Sequence, residues 1–124
     1  MNKRALGALA AAAAIAGVLG AAPTASAAEV PPPGCDKGYF CIYSGDSGTG
    51  QLVLKSDGNW SGSVTGRSIF NNGAPLPGLD HIQVEWKSIG SGSECVHYYP
   101  GPGHYGINFN HDAVITKVTW RGEC

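Results

Sequence analysis

Downstream of residue 35 the apolar residues come in short runs broken by Gly, Asn, Asp or Pro, and no segment keeps the three-to-four spacing of an amphipathic helix. Such punctuation predicts an all-β fold. Strands are expected over Tyr39–Tyr43, Gln51–Lys55, Ser68–Asn71, His81–Lys87, Glu94–Tyr99, Gly106–Asn110 and Ile115–Arg121. Within 81–87, strict alternation puts Ile82, Val84 and Trp86 on a core face and His81, Gln83 and Glu85 on the other. Val118 and Trp120 repeat the pattern in the last strand, with Lys117, Thr119 and Arg121 turned to water, and Ile107 and Phe109 do so one strand earlier. Trp86 and Trp120 are assigned to the core. Trp60, in the polar stretch DGNWSG, either forms a ligand platform or, as is more usual for a Trp in a small domain, folds back onto the core.

Two halves of the chain echo each other. Cys41-Ile42-Tyr43, a Gly-rich turn ending at Gly50 and Leu52-Val53-Leu54 match Cys95-Val96-His97, a turn ending at Gly106 and Ile107-Asn108-Phe109. Each half closes on a β-branched segment, Ser68–Asn71 or Lys117–Trp120. A duplicated unit of about four strands is what two Greek keys require.

The start of the chain carries a different signal. Lys3 and Arg4 precede a run of small apolar residues, and Ala25-Ser26-Ala27 supplies a cleavage site, so residues 1–27 read as a secretory signal peptide with Ala28 as the alternative boundary. Residues 28–34 form a Pro-rich lead-in, expected to be extended and loosely held, and 35–124 the domain. Without Lys3 and Arg4, six of the eight basic residues remain against nine acidic ones, a formal charge of −3. That balance offers no basic patch for nucleic acid, and nothing beyond the leader addresses a membrane. The expected location is extracellular, the expected state a monomer.

An exported chain of this length with four cysteines should carry two disulfides. Of the three connectivities, Cys35 with Cys41 and Cys95 with Cys124 keeps each bridge within one half. The cysteines are too scattered for a zinc cluster.

Gly45-Asp46-Ser47-Gly48 matches the tetrapeptide around the serine nucleophile of chymotrypsin-like proteases. In that fold the His and Asp precede the serine. Here all four histidines, His81, His97, His104 and His111, follow Ser47, and the double barrel needs roughly twice a domain of about 100 residues. The tetrapeptide is therefore read as a turn, and no nucleophile, base and orienting acid can be assembled into an enzyme site.

Tyr43 to Gly50, an aromatic followed at seven residues by Gly, resembles the folded hairpin of βγ-crystallin Greek keys, with Gly48 where a second aromatic is usual. The wider pattern of Cys35 and Cys41 around GYFCIYSG, with SIFNNG closing the first half, resembles a secreted actinobacterial family of βγ-crystallin-like peptidase inhibitors of the metalloproteinase-inhibitor type. The resemblance implies an inhibitor of extracellular proteases, thermolysin-like metalloproteases foremost, acting through a rigid segment in the enzyme's cleft. By alignment with a Cys-Val reactive bond, Cys95 and Val96 are the expected reactive site. Val96 suits enzymes that select a bulky apolar residue just after the scissile bond. The second cysteine that closes a tight loop in the relative is replaced here by Tyr98–Gly103. Tyr98, Tyr99 and Tyr105, on the Pro/Gly-stiffened segment YYPGPGHY, form the expected contact loop or, equally, cover the edge of the core.

No cofactor is expected. His97, His104 and His111 recur every seven residues, but the intervening Gly/Pro turns argue against a common metal-binding face. The calcium motif of βγ-crystallin units survives only in part, at Ser63-Val64 with Arg67-Ser68 and at Asp112-Ala113 with Thr116-Lys117, where Arg67 and Lys117 bring cations to ligand positions. The alternative to an inhibitor is a non-inhibitory secreted βγ-crystallin-like binding or toxin-like module.

Overall fold

The computed structural model describes residues 30–124; the expected signal peptide, 1–27, lies outside them. The chain forms β1 (Tyr39–Tyr43), a 3-10 turn (Asp46–Gly48), β2 (Leu52–Ser56), β3 (Trp60–Asn72), β4 (His81–Lys87), β5 (Ser91–Val96) and β6 (Gly106–Arg121). All pairs are antiparallel, in the order β2-β1-β3-β6-β4-β5. The expected strand over 68–71 is only the end of the 13-residue β3. Its first half, rich in Gly, Ser and Thr and largely exposed, lacks an apolar signature and is held by pairing with β6. Likewise 106–110 and 115–121 join into one 16-residue strand, interrupted by Asn110 at φ 65°. β5 begins and ends three residues earlier than expected.

β3 cannot be straight. Phe40 lies opposite Asn71 and Val118 opposite Trp60, so a straight β3 would hold these places about 35 Å apart. Yet the Phe40 ring sits 6.0 Å from that of Trp120, two residues beyond Val118. The β3–β6 ribbon therefore folds over, and its register shifts between Gly66 and Ser68 mark the bend. Gly66 is required there, since a β-carbon on it would lie 2.6 Å from Ile42 Cγ2.

The fold yields two layers that exchange strands. In one, Ser68–Phe70 of β3 pairs with Gly106–Asn108 of β6 beside β1 and β2; in the other, Trp60–Gly66 of β3 pairs with Ala113–Val118 of β6 beside β4 and β5. Between them lies the main core of Phe40, Ile42, Ile69, Ile82, Val84, Val96, Phe109, Ala113, Ile115 and Val118, with Trp60, Trp86 and Trp120 packed against it. Trp60 thus folds back onto the core. The duplication is present in the layout but not in the register expected from the sequence. Cys41 lies in β1, the centre of a three-strand set, whereas Cys95 lies in β5, at an edge; β4 is the counterpart of β1.

The outer face of β1 is also buried. Cys41 and Tyr43 pack with Cys35 and Phe70 under Tyr39, Tyr99 and Tyr105. The lead-in is not loose here: Pro33 O accepts the Tyr43 hydroxyl at 2.7 Å, and Pro32 leaves no room for a β-carbon on Gly48. Disulfides join Cys35 to Cys41 and Cys95 to Cys124.

Candidate functional site

Cys95 and Val96, the expected reactive pair, lie in β5 opposite Gln83 and Ile82. Val96 is 0% exposed and belongs to the main core. Its side chain cannot enter an enzyme's pocket while the fold is intact, which corrects the expectation of an accessible Val96. Strand alternation is the reason, because Val96 follows Cys95 onto the inward face. Tyr99 and Tyr105 pack on the Phe70 ring at 5.9 and 6.3 Å and on each other at 5.2 Å. They cap the second apolar cluster. Tyr98 is half-buried, edge-on to the His81 ring at 5.7 Å.

The GDSG stretch forms the 3-10 turn, with Ser47 at φ 51° and Gly48 at φ 77°. Asp46 is not free to orient a histidine: its Oδ1 accepts Arg67 Nε at 3.0 Å. The same guanidinium reaches Asp112 Oδ1 at 3.5 Å and donates to Asn110 O at 3.0 Å. Arg67, from one degenerate calcium motif, thereby places its charge against Asp112 of the other, and the hydrogen bond to Asp46 holds its pKa above the usual value.

One segment stands out against this background. Ala74 to Leu79 (APLPGL) are six consecutive exposed residues between the buried Gly73 and Asp80, with Leu76 and Leu79 each 54% exposed. Both ends are fixed from inside the protein. Asn71, fully buried, accepts the Gly73 N–H on Oδ1 at 2.9 Å and donates from Nδ2 to Asp80 O at 3.0 Å and Val96 O at 3.3 Å. Asp80 Oδ2 accepts the Leu76 N–H at 2.9 Å, and Leu79 N–H closes a turn onto Leu76 O at 2.8 Å. Pro75 and Pro77 restrict the backbone between these anchors. Leu76 and Leu79 also border a hollow of about 360 Å³ shared with Trp120, whose Nε1 is the one buried side-chain polar atom without a partner among the described residues.

Sequence reasoning passed over this loop because its two leucines sit at no strand period. The signal was present in the chain as Pro-Leu-Pro between two strands, preceded by Asn71-Asn72-Gly73 and followed by Asp80.

Neither a curated protein nor a solved structure matches the chain. A family model, described as peptidase inhibitor family I36, matches residues 28–75. The matched stretch contains the first disulfide, the 3-10 turn, β1 to β3, the Asn71 anchor and the start of the exposed loop. Over these 48 of its 124 residues the chain is similar to peptidase inhibitor family I36.

Proposed function

We propose that the domain is secreted and inhibits an extracellular peptidase by offering Ala74–Leu79 to its cleft, with a thermolysin-like metalloprotease as the target. The observation that carries this reading is the pair of exposed leucines on a loop anchored at both ends by buried Asn71 and Asp80. Pre-organisation matters because ordering a loop on binding consumes affinity. Full burial of each leucine adds about 1.5–3 kcal/mol. Leu76 after the Pro75 bond meets the preference of such enzymes for a bulky apolar residue there, and Pro77 withholds the next backbone N–H, which slows cleavage. The Cys95–Val96 segment then acts from beneath, its Val96 carbonyl holding Asn71. The scaffold is read as two interlocked Greek keys of the βγ-crystallin kind, since each layer takes one strand segment from the other half.

Titration of the monomeric protein against thermolysin-like and serine proteases tests the proposal. Leu76→Asp should worsen inhibition of the metalloprotease by at least about 100-fold, because a charge buried without a partner costs several kcal/mol. Ile89→Asp, at a 98% exposed position in the β4–β5 turn, should leave it unchanged. Equal inhibition by Leu76→Asp and the parent would move the site elsewhere. A parent that inhibits no peptidase would favour a non-inhibitory binding module.

A further inference from the structure

Below the loop, its anchor Asp80 continues into His81 and His97, two side chains that neither the core nor the proposed contact surface uses. His81 is 2% exposed, contrary to the outward face that alternation gives it, and its Nδ1 lies 2.7 Å from Asp80 Oδ1. The buried carboxylate fixes the ring proton on Nδ1, so Nε2 presents a lone pair. That nitrogen faces His97 Nδ1 at 3.0 Å, and Glu123 Oε1 lies 3.8 Å from it. The His97 ring is held in place: Gly103, at φ +100°, packs so closely that a β-carbon there would land on the imidazole. The Cys95–Cys124 bridge ties the segment bearing Glu123 to β5.

We propose that His81 Nε2, His97 Nδ1 and the Glu123 carboxylate form a binding site for a divalent transition metal of the zinc class, with Asp80 as the partner that orients His81. Two nitrogens bound to one tetrahedral zinc at about 2.0–2.1 Å stand about 3.3 Å apart, close to the spacing present here. Two imidazoles and a carboxylate suit zinc, nickel or copper better than calcium or magnesium. The group whose ligand atoms lie within 4.8 Å of one another is His81, His97 and Cys124; since Cys124 Sγ is committed to its disulfide and offers no thiolate, the third ligand is assigned to the neighbouring Glu123, whose exposed carboxylate already lies 3.8 Å from His81 Nε2. On binding, His97 gives up the proton on Nδ1 to solvent and takes one up on Nε2, so that it stays a neutral imidazole whose Nδ1 lone pair, like that of His81 Nε2, is free for the metal. Because Asp80 also accepts the Leu76 N–H, an occupied site would stiffen the anchor of the exposed loop. The histidines that the sequence grouped by spacing, His97, His104 and His111, are not the ones assembled; His111 is exposed on β6.

Zinc ion alone, titrated by calorimetry into the chelator-treated chain from residue 28 on, with native mass spectrometry for stoichiometry, tests the site. One zinc per chain with micromolar affinity is expected. Removing a ligand in His97→Ala should weaken binding by at least about 100-fold, the upper end of what losing an outer partner does, and Glu123→Gln by about 10-fold. His111→Ala should leave affinity unchanged. If His97→Ala fails to fold by circular dichroism, Glu123→Gln on the exposed segment decides. No binding tighter than on the order of 100 µM would overturn the site. So would affinity unaltered in Glu123→Gln, or lost equally in His111→Ala.

Discussion

Asn71 answers a need that no apolar residue could meet. Its position in β3 is fully buried, and the backbone groups of Gly73, Asp80 and Val96 converge on it. Each would otherwise be left without a partner away from water. Tyr43 is similarly placed, a buried phenol whose hydroxyl donates to Pro33 O. Its pKa is raised above the ordinary 10.0, first because burial penalises the phenolate and then because Asp36 adds negative charge. A raised folded pKa means the folded state keeps its proton longer than the unfolded one. The contribution is intact below pH 10.0 and is lost as pH climbs through the folded value. Tyr43→Phe should therefore cost about 1 kcal/mol at neutral pH, for the lost hydrogen bond, and should flatten the loss of stability above pH 10 relative to the parent. Urea unfolding across the range to about pH 11 measures both effects; an equally steep alkaline decline in the variant would contradict the burial argument.

At the scale of elements, burial on both faces explains where alternation fails as a guide. β1 buries Phe40 and Ile42 inward and Cys41 and Tyr43 outward, because the lead-in and the 99–105 segment cover its second face. β5 needs a bridge more than β1 does, since it is an edge strand paired only with β4. The two disulfides close loops of very different size, with sequence separations of 29 and 6. By chain entropy the first contributes about 3.6 kcal/mol and the second about 2.2 kcal/mol. Replacing Cys95 and Cys124 together by Ser should accordingly lower the melting temperature more than the same change at Cys35 and Cys41. Calorimetry of the two double variants would reveal the reverse order if the short bridge, by pinning the lead-in over Tyr43, carries the larger share.

For the molecule as a whole, the strand exchange has the largest consequence. The stretch that matches the inhibitor family, 28–75, contributes Trp60–Gly66 to the layer of the other half and takes Gly106–Asn108 in return. A fragment ending at residue 75 would expose the apolar side of β1 and β3 and leave the early part of β3 unpaired. Such a piece has too small a core to fold alone. It should show no cooperative melt and no dispersed amide spectrum, whereas the chain from residue 28 to 124 should unfold in one transition. A sharp melt from the fragment would mean that the two halves are separable.

The chain by itself determined the β class, the core positions Ile82, Val84, Val118 and Trp120, the number of disulfides, and the identity of GDSG as a turn, because all of these follow from local period, local turn chemistry or cysteine count. Only the tertiary structure decided that β3 and β6 are continuous and bent, that Val96 and His81 face inward, and that the exposed loop belongs to Leu76 and Leu79. The physical reason is the same in each case. These features depend on what lies across a fold between residues distant in sequence, such as Asn71 with Val96 or His81 with His97, and no local period encodes that partner.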